Sequence, residues 1–298
     1  MTTRREFIGT AGFAAAAAMT GNAAAPATDR YAASQADIDL LTPQAYADYM
    51  RGKGDPGDGA AAIARLDAAF DKIMSELKSV SVTSRPAVWL MYNMGIVVKT
   101  PRTCFAVDLV HRRAEEMAGL LDFALITHNH GDHFTEKFYR EMNGAGKTVI
   151  SNFKDNYGVA DWKKGGYTRA RKEFKIEDVT IDTSLTDHNW YLVDYTTVFE
   201  IRVGNFVIYH SGDCSNVEKL NPKRSKPDLW VVHPRDGMPI LAGMKKFRPK
   251  LTAIAHLNEL GHGEKWPRVT WKDGLADAEK AGQAGFKAVV PLWGDRIV

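Results

Sequence analysis

The sequence predicts an α/β fold in which mixed sheets are sandwiched between helices. Three observations carry the prediction. The apolar runs after residue 87 have the length and β-branched content of strands. The first of them follow one another through tight turns, as hairpins do, and the later ones alternate with helical stretches. The 298 residues are 45% hydrophobic and 25% charged, which leaves room for a sizeable core.

Residues 1–27 stand apart from that fold. Arg4 and Arg5 precede Glu6-Phe7-Ile8, a mildly apolar run continues to Met19, and small residues cluster from Ala23 to Ala27. This resembles a twin-arginine (Tat) signal peptide, and the resemblance implies the Tat export machinery as a partner and a periplasmic or secreted protein. Cleavage after Ala25 or Ala27 would leave an A-x-A pattern, with Pro26 favouring the later cut. The apolar run falls short of the roughly 20 residues that span a bilayer, so no stable membrane insertion is expected. Removal of Arg4, Arg5 and Glu6 takes the formal net charge from +3 to +2. A charge so near neutrality points neither to nucleic acid nor to an anionic membrane surface. The one short basic cluster, Thr168-Arg169-Ala170-Arg171-Lys172, reads as a solvated face.

Residues 28–59 read as an N-terminal extension or linker, and residues 51–59 as a loop by composition. Asp58 or Gly59 then opens a helix on which Ile63, Leu66, Phe70, Ile73 and Leu77 form one apolar stripe, the start of a domain running from 60 to 298. Strands are predicted at 87–92, 95–99 and 103–108, with a turn at 100–102, followed by a helix near 112–120. The short strand 123–127 runs straight into His128, and a helix near 135–142 leads to a strand at 148–150. Further strands are expected at 179–183, 196–201 and 206–210, the last two joined by a hairpin at 203–205. Strands 228–232 and 251–255 alternate with helices, and 284–292 closes the chain. Cys104 and Cys214 read as free buried thiols, because a core of this size needs no disulfide.

The chemistry concentrates in Thr127-His128-Asn129-His130-Gly131-Asp132-His133. Imidazoles and carboxylates are the ligands that borderline metals such as zinc take. Placed in a core without partners, each would be costly. On a turn after a strand, His128 and His130 project to one side of the chain path, while Asp132 and His133 reach a second point nearby. One short segment can thereby seed two adjacent metal sites.

His-x-His-x-Asp-His after an apolar strand resembles the signature of the metallo-β-lactamase superfamily, and the likeness runs from about Val88 to the C-terminus. It implies a four-layer αββα sandwich with two divalent metal ions, usually zinc, at one edge of the sheets, bridged by a hydroxide. It also implies three further ligands, each at a strand end: a histidine, a bridging aspartate and a last histidine. His188 in Asp187-His188-Asn189, Asp213 after Tyr209-His210-Ser211-Gly212, and His256 after Ile254-Ala255 occupy those places. The resemblance assigns His128, His130 and His188 to one metal and Asp132, His133 and His256 to the other, with Asp213 shared. His262, in Gly261-His262-Gly263, is the rival of His256. Asp108, His210, His233 and His262 are candidates to orient ligands or face substrate, and His111 reads as a surface residue. After the first strand, where family members often carry Gly-His, this chain has Tyr92-Asn93-Met94-Gly95.

The implied activity is an exported dinuclear hydrolase in which a metal-bound hydroxide attacks a small-molecule lactone, ester or phosphodiester, with Asp132 relaying a proton. The spacing of Asp213 and His256 looks most like the branch containing L-ascorbate-6-phosphate lactonase. A β-lactam is a weaker substrate candidate. Two other classes remain open: a metal-binding member of the fold without turnover, and an iron-containing redox member. No basic, RNA-gripping addition is evident, so nucleic acid is not an expected partner. Trp162, Trp190, Trp266 and Trp293 could line a pocket or fill the core. Oligomeric state is not legible.

Overall fold

The computed structural model describes residues 27–153, 166–167, 171–224, 226–234, 238–263 and 266–298. Arg4, Arg5, Trp162 and residues 168–170 of the basic cluster lie outside the described residues. In chain order come α1 (Ala27–Asp39), α2 (Pro43–Met50) and α3 (Ala60–Ser79), then β1 (Ala87–Tyr92), β2 (Gly95–Lys99) and β3 (Cys104–Val107). Next are α4 (Ala114–Met117), β4 (Phe123–Leu125), α5 (Glu136–Gly144), β5 (Thr148–Ser151), β6 (Gly166–Tyr167) and β7 (Glu173–Ile176). β8 (Val179–Thr186), β9 (Thr196–Val203), β10 (Phe206–His210), β11 (Leu229–Val232), α6 (Ile240–Phe247), β12 (Thr252–Ile254), α7 (Trp271–Gln283) and β13 (Ala288–Val289) complete the chain.

The strands form a six-stranded sheet ordered β1-β2-β3-β4-β5-β6 and a seven-stranded sheet ordered β13-β12-β11-β10-β9-β8-β7. Each sheet is antiparallel in one half and parallel in the other. Side chains alternate across a strand, so a strand covered on both faces must be apolar at every position. In β1, Val88 and Leu90 face the second sheet, while Trp89 and Met91 join the core beneath the helices. In β11, Leu229 and Val231 point inward and Trp230 and Val232 outward. Two cores result, one between the sheets and one between sheets and helices, and this is the αββα sandwich. Each large side chain buried this way contributes about 1.5–3 kcal/mol. On α6, Gly243 permits close approach to the sheet: a Cβ there would lie 2.6 Å from the Trp230 ring. Among the described residues no helix is long and apolar enough to cross a membrane.

Residues 28–59 are not a linker. They hold α1 and α2, and Ile38, Leu41, Tyr46 and Tyr49 are buried in the same core as Ile63, Leu66 and Phe70 of α3. Thr42 caps α2 by accepting the Ala45 amide, and Pro43 opens its first turn. The Arg268 guanidinium then ties α1 to a distant loop. It donates to the carbonyls of Ile38 and Leu41 and to those of Glu259, Leu260 and His262.

His111 is not a surface residue either. It is 1% exposed, with its ring stacked on Phe70 at 4.2 Å and 7°. Its flat faces are apolar, and its polar edge is satisfied. Nε2 donates to the Tyr49 hydroxyl (2.8 Å), which donates in turn to Asp67, and Nδ1 accepts the Arg113 amide. Burial pushes its pKa down to about 4, so the ring is neutral at pH 7. Both cysteines are free, Cys214 buried and Cys104 half-buried.

Candidate metal centre

Every residue singled out from the motif and its downstream echoes sits just beyond a strand. β4 delivers residues 128–133, β8 His188, β10 Asp213 and β12 His256, while β3 and β11 end at Asp108 and His233. Carboxyl ends of parallel strands are where open α/β sheets place their sites. The donors converge in two groups, His128, His130 and His188 in one and Asp132, His133, Asp213 and His256 in the other, with ligand atoms within 4.8 Å of one another in each. Asp213 lies between the groups. Its Oδ2 is 3.5 Å from His188 Nε2 and 4.0 Å from His128 Nε2 on one side, and 3.3 Å from His256 Nε2 on the other. Its Oδ1 is 3.2 Å from His133 Nε2.

The backbone under the site is held in conformations that L-residues avoid. Gly212 turns the chain into Asp213 at φ +53°, where a Cβ would come within 2.6 Å of Thr196 and 3.0 Å of Thr127. Asn93 (φ 48°), Asp108 (φ 49°) and His256 (φ 59°) are left-handed non-glycines, each costing about 1–2 kcal/mol. Hydrogen bonds hold them there: the His256 amide donates to Asn93 O (3.0 Å) and the Asp108 amide to Leu125 O (3.0 Å). Such strain gathers at sites the surrounding fold over-determines.

Asp108 organises the donors from behind. Fully buried, it accepts the Thr127 amide (2.8 Å), the Thr127 hydroxyl (2.7 Å) and His133 Nδ1 (2.9 Å). His133 Nε2 is thereby aimed at Asp132 and Asp213. Because the Thr127 hydroxyl donates to Asp108, its oxygen accepts from His128 Nδ1, 3.0 Å away. His128 Nε2 is left with a lone pair and no hydrogen-bond partner, although it is buried. A buried, unpartnered imidazole nitrogen facing a shared carboxylate fits a metal ligand.

The electrostatics fit as well. Burial opposes the ionisation of Asp132 and Asp213, but His133 and His256 outweigh it, and both carboxyls lie well below their ordinary range. Burial likewise opposes the charging of His133 and His256. Asp213 and Asp132 outweigh it, joined at His133 by Asp108, so His133 is raised well above the ordinary value and His256 to about 10. Two poorly solvated carboxylates, Asp213 buried and Asp132 half-buried, need compensating positive charge, and imidazolium protons supply it here; a cation at the same point would displace those protons. In the other group burial dominates. It lowers His128 well below the ordinary range and His130 to about 4, which keeps their lone pairs free.

The other candidates divide. His233 stacks on His256 at 4.1 Å, with Nδ1 3.7 Å from Asp213, and its unpartnered Nε2 belongs to a ring lining the central cavity of about 220 Å³. His262 also lines that cavity and pairs with Glu259, but it stands outside the donor groups, where His256 takes the place. His210 points away: its Nε2 donates to Met94 O (2.8 Å), and it lines neither donor group nor cavity. Trp266 walls the cavity, Trp190 stands 89% exposed at its mouth, and Trp293 packs on Tyr92 in the core. Two contributors were not anticipated. The Tyr195 hydroxyl donates to Asn129, and its ring lies 5.3 Å from His130 and 5.7 Å from His128. Asn129 could have been suspected from its place between two histidines; nothing in the sequence marks Tyr195.

No protein-family model matches the chain, and no curated protein matches it by sequence. Solved structures do match. Igni18, a metallo hydrolase from the archaeon Ignicoccus hospitalis, superposes with TM-score 0.56 at 18% identity over 71% of this chain and 97% of its own. YhfI from Bacillus subtilis, a metallo-β-lactamase fold protein, gives 0.55 at 14% identity over 72% and 99%. CmlA, a diiron β-hydroxylase from Streptomyces venezuelae, gives 0.54 at 14% identity over 71% of this chain and 54% of its own. With its two mixed sheets, its outer helices and its donors at the strand ends, the chain has the metallo-β-lactamase fold.

Proposed function

We propose that the chain is a dinuclear metal-dependent hydrolase acting on a small-molecule lactone, ester or phosphodiester. The observation that carries this reading is the convergence of seven donors into two adjacent groups with Asp213 between them. Divalent cations held there would supply hydroxide near neutral pH, by lowering the pKa of water, and charge stabilisation at a substrate oxygen. The chain's own groups do the rest. Asp132 lines the cavity as a carboxylate and is placed to take and return a proton. Asn189 and His233 line the same cavity and offer polar contacts to substrate. The Asp213-to-His256 spacing resembles that of the L-ascorbate-6-phosphate lactonase branch, and the lactone class is proposed on that resemblance.

The test is elemental analysis of the purified full-length chain, followed by turnover on lactone, ester, phosphodiester and β-lactam substrates. Two zinc ions per chain with turnover on one class is the expected result. His130→Ala should lose metal and activity together; full activity in that variant after metal depletion overturns the reading. Five imidazoles and two carboxylates also suit iron, and CmlA shares the fold. Iron with a visible absorption band would favour that second reading. Export is proposed from the Arg4-Arg5 pair: replacing both with Lys should leave the chain in the cytoplasm on fractionation.

A further inference from the structure

Beyond the donor groups the central cavity opens onto a groove of about 640 Å³. Asn189, Tyr191 and Trp266 wall both, and Trp190 extends the groove outward. Large apolar side chains left in water are few among the described residues, and the aromatic ones among them all sit here. Trp190 (89% exposed), Tyr191 (59%) and Trp266 (53%) are three of the seven. A contiguous exposed apolar patch at the mouth of a polar cavity marks a binding surface.

The loop bearing Trp190 and Tyr191 is pinned, so their exposure is built in. The Asp187 carboxylate accepts Lys219 Nζ (2.6 Å), the Asp194 amide (3.0 Å) and Asn216 Nδ2 (2.9 Å). Asn189 Oδ1 accepts the amides of Tyr191 (3.1 Å) and Leu192 (2.8 Å), and the His188 amide donates to Leu192 O (3.0 Å). The Trp190 and Tyr191 rings meet edge to face at 5.1 Å. Charge narrows the occupant. Among the described residues lining the cavity and the groove there are carboxylates but no Lys or Arg, and the Asp187 charge is already matched by Lys219. An anionic tail would meet no cationic side chain among those described residues; a flat neutral ring meets the exposed Trp190, Tyr191 and Trp266 rings.

Resting on the hydrolase reading above, we infer that this groove is the subsite for an uncharged aromatic ring carried by the substrate next to the bond that is cleaved. Trp190, Tyr191 and Trp266 determine that preference. The experiment uses the full-length, zinc-loaded chain with 2-naphthyl acetate and methyl acetate as substrates. N-(2-naphthyl)acetamide, a neutral amide, is the binding probe in calorimetry. Trp190→Ala and Trp266→Ala should each lower the naphthyl-to-methyl ratio of kcat/KM about 3–10-fold, chiefly through KM, and weaken probe binding by a similar factor. Leu275→Ala, an exposed apolar residue on α7, should change neither. Ester turnover with an unchanged ratio in both tryptophan variants overturns the subsite and leaves the hydrolase standing. Probe binding that depends on Trp190, without turnover of either ester or of any lactone or phosphodiester, supports the subsite and overturns the hydrolase. Absence of probe binding, with Trp190-dependent dimerisation in sedimentation or Trp190-dependent pelleting on phosphatidylglycerol vesicles, overturns the subsite in favour of a protein or lipid surface.

Discussion

The two donor groups lie side by side and are built in opposite ways. His128, His130 and His188 are three imidazoles, two of them only half-buried and facing the cavity. Asp132, His133, Asp213 and His256 include two ionised carboxylates, and three of the four residues are buried. The second group is also braced from behind, by Asp108 against His133. A dication gains far more from two poorly solvated carboxylates than from neutral rings open to water. The comparison teaches a division of labour: the carboxylate group should hold its ion tightly, and the imidazole group should hold the exchangeable one that meets substrate.

Asp213 belongs to both groups, so its loss should be the most severe. Asp213→Ala is expected to strip both ions and lower turnover on the order of 1,000-fold or more; one tightly held ion surviving in elemental analysis would break the comparison. His188→Ala should do less, releasing one ion and keeping the other, with turnover down on the order of 100-fold. Loss of both ions would show that the groups do not differ. Asp108→Asn acts directly on the carboxylate group, through His133, and reaches the imidazole group only at second hand, through the Thr127 hydroxyl beside His128. Competition with a chelator should show the carboxylate-group ion held about 10–100-fold more weakly and the other weakened less.

The smallest effect sharpens the comparison from outside. His111 is buried like the donors but has its hydrogen bonds satisfied. Its pKa falls from 6.5 unfolded to about 4 folded. Between those values the unfolded chain binds the proton and the folded chain does not. Stability present above pH 6.5 is therefore lost as pH falls toward 4, by up to about 1.4 kcal/mol per unit. Denaturation midpoints of the wild type and His111→Phe, compared at each pH, should converge as the pH falls; parallel curves would mean that His111 titrates normally.

The strands and the donors were legible for one reason: both leave unusual sequence. A strand covered on both faces is an unbroken apolar run, as in 87–92 and 228–232. Histidines and aspartates directly after such runs have few innocent explanations, and the structure gathers His128, His130, His188, Asp213 and His256 as their positions suggested. What escaped was ambiguous in composition. α1 and α2 anchor through scattered Ile38, Leu41, Tyr46 and Tyr49, too sparse for a stripe. β7 alternates exposed Glu173 and Lys175 with half-buried Phe174 and Ile176, a pattern of four residues on a sheet edge. His111 misled because an imidazole reads as polar until a ring such as Phe70 is found against its face.

Arg268 carries a practical consequence. Its side chain is half-buried, and its five acceptors come from two stretches more than 200 residues apart, the end of α1 and the loop leading to His262. A shortened version starting at Ala60 would delete two of those acceptors. It would also delete Tyr46 and so uncover Tyr92, and it would leave a guanidinium reaching for carbonyls that no longer exist. The cavity wall near His262 would loosen although every donor remained, so the smallest piece worth expressing begins near Ala27.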